Sequence, residues 1–277
     1  GVIDRKYDKI KQSTNTKRGY LMIYEITDTS KVSSLFGNWQ ETLIWSCLQG
    51  IMGKIYADNQ NTPTSAMAIL GDFIFFAGKA NVELASYKPN WCTKNFIIMV
   101  PQDESWKDII LHYYGEKATV ISRYATKKEP YIFDKEKLKH IIAALPEGYS
   151  LSMIDKQLYQ RCKAETWSAD LVSQFSDYES YRHLGLGVVI CKENIIISGA
   201  SSYSRYKEGI EIEIDTREEY RRKGFAYICG AKLILECLKR NLYPSWDAHN
   251  KSSMELAKKL GYHYSHTYTA IEIYDDL

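Results

Sequence analysis

Residues 209–216 read Gly-Ile-Glu-Ile-Glu-Ile-Asp-Thr. Isoleucine alternating strictly with an acid fits a strand with one apolar and one polar face. Soon afterwards Ile228, Ala231, Leu235 and Leu238 recur at helical spacing, so one long helix with a single apolar face is expected over 224–240. The segment joining them is Tyr220-Arg221-Arg222-Lys223-Gly224-Phe225-Ala226. A strand that turns through a glycine into a long amphipathic helix constrains the rest of the chain. The helix must cover the sheet, and the next strand returns parallel to the first.

The surrounding pattern extends this β-α-β unit. Helices are expected over 150–162 and 177–182. Two strands follow at 186–191 and 195–203, joined by Lys192-Glu193-Asn194. After the long helix come a strand over 243–248, a helix over 250–260 stopped by Gly261, and a last strand over 268–274. The first half reads as mixed α/β, with helices over 35–51, 103–114 and 134–145. Its strands are expected at 54–57, 66–70, 73–76, 95–100 and 118–124. The turn Leu145-Pro146-Glu147-Gly148 suggests a boundary, giving domains of residues 1–146 and 147–277. The expected class is α/β, a mixed α+β sheet in each half.

Composition excludes several classes. The 277 residues carry 36 Lys+Arg and 34 Asp+Glu, a net charge of +2, which gives no global reason to expect nucleic acid. The 45% apolar and 25% charged content is that of a folded chain. No apolar run reaches the roughly 20 residues that cross a bilayer. Residues 1–11 show no apolar signal region, so no membrane partner and a cytoplasmic location are expected; Gly1 in place of Met suggests trimming or a tag remnant. The six cysteines, Cys47, Cys92, Cys162, Cys191, Cys229 and Cys237, form no CxxC pair and are expected as reduced, mostly buried thiols. The histidines show no metal-ligand spacing, so no metal is expected, and a serine hydrolase lacks its GxSxG.

The turn at 220–226 is where chemistry is expected. Glycine at a strand-to-helix turn lets the backbone come close to a ligand. The first N–H groups of a helix lack internal partners, and with the helix dipole they favour an anion such as a diphosphate. Arg221, Arg222 and Lys223 add positive charge. The segment is neither GxxxxGK[ST] nor GxGxxG. Taken alone, it also reads as a basic, solvated helix start.

The segment Arg221-x-x-Gly224-x-Ala226 resembles the [QR]-x-x-G-x-[GA] acyl-CoA motif of the GNAT acetyltransferase superfamily. A second element, Asn250-Lys251-Ser252-Ser253-Met254-Glu255-Leu256-Ala257-Lys258-Lys259-Leu260-Gly261-Tyr262, resembles that family's N-x-x-S-x-x-L-[YA]-x-K-L-G-[FY] helix. The two occur in the family's order, over residues 147–277. A looser likeness to the subgroup that includes the zwittermicin A resistance acetyltransferase rests on several features. These are the doubly acidic strand with Thr216, Trp246, Tyr56-Ala57-Asp58-Asn59 and Gly71-Asp72-Phe73. The resemblance implies a GNAT acyl-CoA N-acyltransferase fold in the second half. The first half is then an α/β accessory domain, or a degenerate copy of the same fold that has lost the phosphate turn.

The resemblance also implies a reaction: transfer of an acetyl group from acetyl-CoA to an amine, without a metal. The diphosphate would rest on the N–H groups of Arg222, Lys223, Gly224, Phe225 and Ala226, with the Arg221 side chain adding charge. The pantetheine arm would lie along Ile214, Asp215 and Thr216, with Asn250 and Ser253 bordering the groove. A backbone N–H near Ile214 to Thr216 would meet the oxyanion. Glu211 and Glu213 are the candidate bases. A bulge would change which of the two faces the cleft, and a plain solvated strand is the alternative reading. Ala257 stands where many members carry a tyrosine acid. Tyr203, Tyr262 or Tyr264 could replace it, or the thiolate could leave to solvent. The acids on the strand point to a small cationic amine as acceptor. The rival readings are a non-catalytic or regulatory acyl-CoA-binding protein and a protein-interaction module dominated by residues 1–146.

Overall fold

A computed structural model describes residues 22–275, so residues 1–11 lie outside the described part. The chain forms two compact units. One holds the described residues up to Ser122 and from Thr269 onward; the other is Arg123–Tyr268.

In the first unit the order is β1 (Tyr24–Glu25), α1 (Ser33–Phe36), α2 (Thr42–Gln49), β2 (Lys54–Ala57), β3 (Ser65–Leu70) and β4 (Phe73–Gly78). Then follow α3 (Val82–Ala85), β5 (Phe96–Pro101), α4 (Glu104–Tyr114) and the start of β6 (Ala118–Thr126). The single helix expected over 35–51 is two pieces, because Gly37 takes a positive φ of 59° and ends the first. β1 to β4 pair antiparallel in succession, β4 runs parallel to β5, and β5 pairs antiparallel with Ile271–Tyr274. Trp106, Phe76, Met67, Met99 and Ile271 lie in its core.

The second unit contains α5 (Lys135–Ala143), β7 (Tyr149–Met153), α6 (Lys156–Ala164), α7 (Tyr178–Leu184), β8 (Gly187–Lys192) and β9 (Ile195–Tyr206). It continues with β10 (Gly209–Thr216), α8 (Phe225–Lys239), β11 (Tyr243–Ser245), β12 (Asp247–Ala248) and α9 (Lys251–Leu260), and reaches into β13 (Tyr264–Tyr274). Its sheet has the order β11-β10-β9-β8-β7. α8 is the crossover of a β-α-β unit, since β10 and β11 are parallel. Ile228, Ala231, Ile234 and Leu235 of α8 are buried with Val188, Ile190, Ala200 and Ile210 of the sheet. The turn at 145–148 lies within this unit, between α5 and β7.

Two further expectations need correcting. Residues 150–162 are not one helix. Leu151 and Met153 are half-buried while Ser150 and Ser152 are exposed, the alternation of a strand paired with β8. The helix starts only at Lys156, where the Asp155 carboxylate accepts the Leu158 N–H at 2.9 Å. Residues 243–248 are not one strand either, because pairing changes partner at Trp246. β11 lies beside β10, and β12 pairs antiparallel with Tyr124 and Ala125 of β6.

The two units repeat one order: a strand, two helices, three antiparallel strands, a crossover helix, a parallel strand, a helix and a final strand. The topology of the first is therefore that of the second. In each, a strand that follows the crossover helix takes an antiparallel neighbour from a distant part of the chain, Ile271–Tyr274 for β5 and Tyr124–Ala125 for β12.

Candidate active site

The site grows from the end of a ladder. β10 and β11 share three rungs, Gly209 with Tyr243, Ile210 with Pro244 and Glu211 with Ser245. Past Ser245 the chain leaves for β6, and the outer edge of β10 from Ile212 to Thr216 has no strand beside it among the described residues. A free edge offers backbone donors and acceptors to an extended ligand. On the inner side, β9 pairs along the whole of β10, with a register shift opposite Glu211 and Ile212. The extra residue is Tyr203, on β9. β10 keeps its alternation, so Glu211, Glu213 and Asp215 hold one face.

These acids differ in setting. Glu211 is buried at the last shared rung, 8% exposed. Glu213 and Asp215 stand past it, in the opened part, and are partly buried. Burial pushes the Glu213 carboxyl well above the usual carboxylate range. The charge of Asp215 and a hydrogen bond with it add to this, as does the charge of Asp170; Arg123 acts the other way. Asp215 is also raised, first by burial, while its hydrogen bond with Glu213 draws it down. Two carboxyls this close share a proton and do not ionise independently. Asp170 comes from the 3-10 turn Ala169–Leu171, which covers this face; Leu171 crowds the face at Gly199.

At the far end of β10 the chain enters the turn that leads into α8. Thr216 Oγ1 lies 2.8 Å from Ser198 Oγ, and the Arg221 guanidinium donates to the Thr216 carbonyl at 3.3 Å. Arg222 has φ +61° and Gly224 φ +88°, so the backbone is left-handed at two of four positions before α8. Gly224 meets this demand without strain, and no atom lies within 4 Å of where its Cβ would be. Arg221, Arg222, Lys223 and Gly224 are exposed, Ala226 is partly so, and Phe225 is buried. The Phe225 ring packs on Tyr149 at 4.7 Å and near Tyr220 at 6.2 Å, which anchors the start of the helix. The Lys223 ammonium sits 5.4 Å from the Tyr220 ring centre. An exposed, basic helix start with an open glycine fits a diphosphate.

Asn250 caps α9, its side chain accepting the Ser253 N–H at 2.8 Å, and Gly261 closes that helix at φ +116°. The Ser253 hydroxyl accepts from the Trp246 indole at 3.3 Å. Ala257 is fully buried. Of the tyrosines weighed as its replacement, Tyr262 is buried and donates to the Pro244 carbonyl. Tyr264 is exposed, 2.7 Å from Thr267 Oγ1, and Tyr203 is buried in the bulge.

Three residues at this opening carry no motif. Arg123, 8% exposed, donates from Nε to Asp247 Oδ2 at 3.0 Å, and its Nη2 is also 3.0 Å from that oxygen. Tyr268 donates to the same oxygen at 2.6 Å and accepts from Arg123 Nε at 3.2 Å. Asp247 and Tyr268 lie 124 and 145 residues from Arg123 along the chain, and no local signal joins them.

The equivalent place in the first unit is closed. β4 and β5 stay paired from Phe73 with Ile98 to Phe76 with Pro101. Gln102 extends the contact: its N–H donates to the Phe76 carbonyl at 3.1 Å, and its side-chain oxygen accepts the Gly78 N–H at 2.9 Å. The Trp106 indole donates to the Gly78 carbonyl at 2.9 Å. The crossover helix there has only four residues.

No helix of the described residues is long and apolar enough to cross a membrane, and among them no group of three His, Cys, Asp or Glu is arranged to hold a metal. The described chain resembles known acetyltransferases over most of its length. A GCN5-related N-acetyltransferase-like protein from Streptococcus suis 89/1591, known from a crystal structure, superposes with a TM-score of 0.84 at 46% identity. That match covers 89% of this chain and 98% of the other. The uncharacterized N-acetyltransferase YdfB of Bacillus subtilis (strain 168) is 28% identical over 239 residues, 80% of this chain and 86% of its own. A tandem GNAT protein from the clavulanic acid biosynthesis pathway shares the fold at a TM-score of 0.51 and 8% identity, covering 92% of this chain and 99% of that one. The GNAT acetyltransferase family model matches residues 33–271, which takes in both units, and the chain belongs to that family.

Proposed function

We propose that the chain moves an acetyl group from acetyl-CoA to the primary amine of a small cationic acceptor, in residues 147–277. The observation that carries this reading is the parting of β10 from β11 after Glu211 and Ser245, with the exposed residues 221–224 beyond the open edge. The edge at Ile214, Asp215 and Thr216 suits an extended pantetheine arm. The main chain of Arg222, Lys223, Gly224, Phe225 and Ala226 suits the diphosphate, the Arg221 side chain adds charge, and Asn250 and Ser253 border the CoA groove. Glu213 is the base. It stands in the opened part, whereas Glu211 is buried at a closed rung. A carboxyl held above its ordinary range takes a proton from an ammonium more readily than a solvated one. The amine nitrogen then bonds to the thioester carbon as the carbon–sulfur bond breaks, and the surplus proton on nitrogen passes to water. With Ala257 in the helix and the Tyr262 hydroxyl already donating to Pro244, the sulfur leaves as thiolate, whose pKa is roughly 8–9. The acid face of β10 favours a cationic acceptor, and a cytoplasmic location agrees with a donor made inside cells.

The test is thiol release. The protein is incubated with acetyl-CoA and a panel of primary amines, including diamines and amino sugars, and free thiol is followed. The expected result is thiol release that depends on one class of cationic amine and falls at least tenfold in Glu213→Gln. Binding of acetyl-CoA with no release on any amine would point instead to an acyl-CoA-binding role.

A further inference from the structure

Glu213 and Asp247 are register equivalents. The last shared rung is Glu211 with Ser245, and each of the two acids stands two residues further along the chain, Glu213 in β10 and Asp247 at the start of β12. Had the ladder continued, they would be neighbours on one face. The strands separate there, and Arg123 lies at the Asp247 side, held by the Asp247 carboxylate and the Tyr268 hydroxyl at 3.0 and 3.2 Å. A buried arginine with a carboxylate on two of its nitrogens has little freedom to turn.

We propose that Arg123 is a positioning residue for Glu213: pinned by Asp247 and Tyr268 at the wall opposite that carboxyl, it sets a fixed positive charge against the acid pair of β10. Without such a charge, Glu213, Asp215 and Asp170 would crowd three carboxyls onto one side of the opening. The groups that bear on the pair are Asp215 on its own strand, Asp170 from the 3-10 turn, Arg123 from β6 and Arg221 beside Asp215. Ser201, opposite Glu213 on β9, carries no charge. Burial and the two acids push Glu213 up, and Arg123 draws it back toward ionisation. Asp247 offsets part of that charge, so the two partners act on Glu213 with opposite sign.

The catalytic consequence rests on Glu213 being the base; the electrostatic claim does not. The direct test is a carboxyl carbon-13 NMR titration of the full-length, glutamate-labelled protein, with the Glu213 resonance identified by its loss in Glu213→Gln. Arg123→Met should raise the Glu213 midpoint by about half a pH unit or more. Arg123→Lys should leave it near wild type. Asp247→Asn, nearly the same shape, should lower it, and this variant decides the matter if Arg123→Met does not fold. Midpoints that stay put in folded Arg123→Met, or that fail to fall in Asp247→Asn, would overturn the proposal. Thiol-release kinetics on the best amine separate the two claims. If the midpoint moves but the acid limb of kcat/KM does not, Arg123 keeps its role and Glu213 is not the base.

Discussion

Glu213 and Asp215 stand two residues apart on one face of β10; burial raises both carboxyls, the charge of Asp215 and a hydrogen bond with it raise Glu213 further, and that bond draws Asp215 down. Such a pair is unfavourable for folding when charged. The folded state binds the proton more tightly than the unfolded chain does. The resulting stability is present below the unfolded value of about 4.5 and disappears as pH rises through the higher folded value.

Glu213→Gln should therefore raise the melting temperature at pH 8 and change it little near pH 4, while lowering turnover by about 10²-fold. Melting scans at the two pH values and thiol-release rates check this together. An equal gain at both pH values would mean that the stabilisation is not electrostatic.

The rate should depend on pH through the same group. Because Glu213 is raised, kcat/KM should climb with pH through a midpoint above the usual carboxylate range, and that limb should vanish in Glu213→Gln. A full pH profile of both proteins decides it.

The turn before α8 allows a split between backbone and side chain. Gly224→Ala has room for its methyl but must hold φ near +88°, so a loss of about 1 kcal/mol in stability is expected. CoA should bind several-fold more weakly, since the strain falls on the amides proposed to hold the diphosphate. Arg221→Ala should weaken CoA roughly 5- to 30-fold. Calorimetric titration of both variants measures these effects; unchanged affinity in Arg221→Ala would leave the main chain alone at the diphosphate.

Binding stoichiometry should report the asymmetry of the repeat. Both units carry a parallel pair of strands, but in the first Gln102 and Trp106 occupy the backbone groups of Phe76 and Gly78. One CoA per chain is expected. Two would show that the first unit opens in solution.

Glu236 gives a prediction away from the site. Although burial pushes its carboxyl up, hydrogen bonds and charges from Lys232 and Arg240 bring it down to about 2. Its contribution is present above the unfolded value of about 4.5 and is lost as pH falls toward about 2. Glu236→Gln should lower the melting temperature at pH 7 and converge on wild type at low pH.

Much of this was legible in the residues. The alternation at 209–216 marks β10 to the residue, the apolar spacing after Gly224 marks α8, and Asn250 and Gly261 bracket α9 as cap and stop. These signals are local: periodicity, capping and a glycine that must turn. β7 is not legible, because Leu151, Met153 and Ile154 fit a helical face as well as a strand, and only pairing with β8 separates the two. The bulge at Tyr203, the Gln102 closure and the Arg123–Asp247–Tyr268 cluster have no local signature, since each depends on partners distant in sequence. From the residues, a repeat of one topology in two units is only one of two alternatives for the first half, for a similar reason: the order of elements is kept while the turn residues are not.

A crystal structure with CoA bound tests the central claim most directly. The diphosphate should lie on the main-chain amides of residues 222–226, with the pantetheine along the edge of β10 between Ile212 and Thr216. CoA seated elsewhere, or absent from that turn at saturating concentration, would contradict the account.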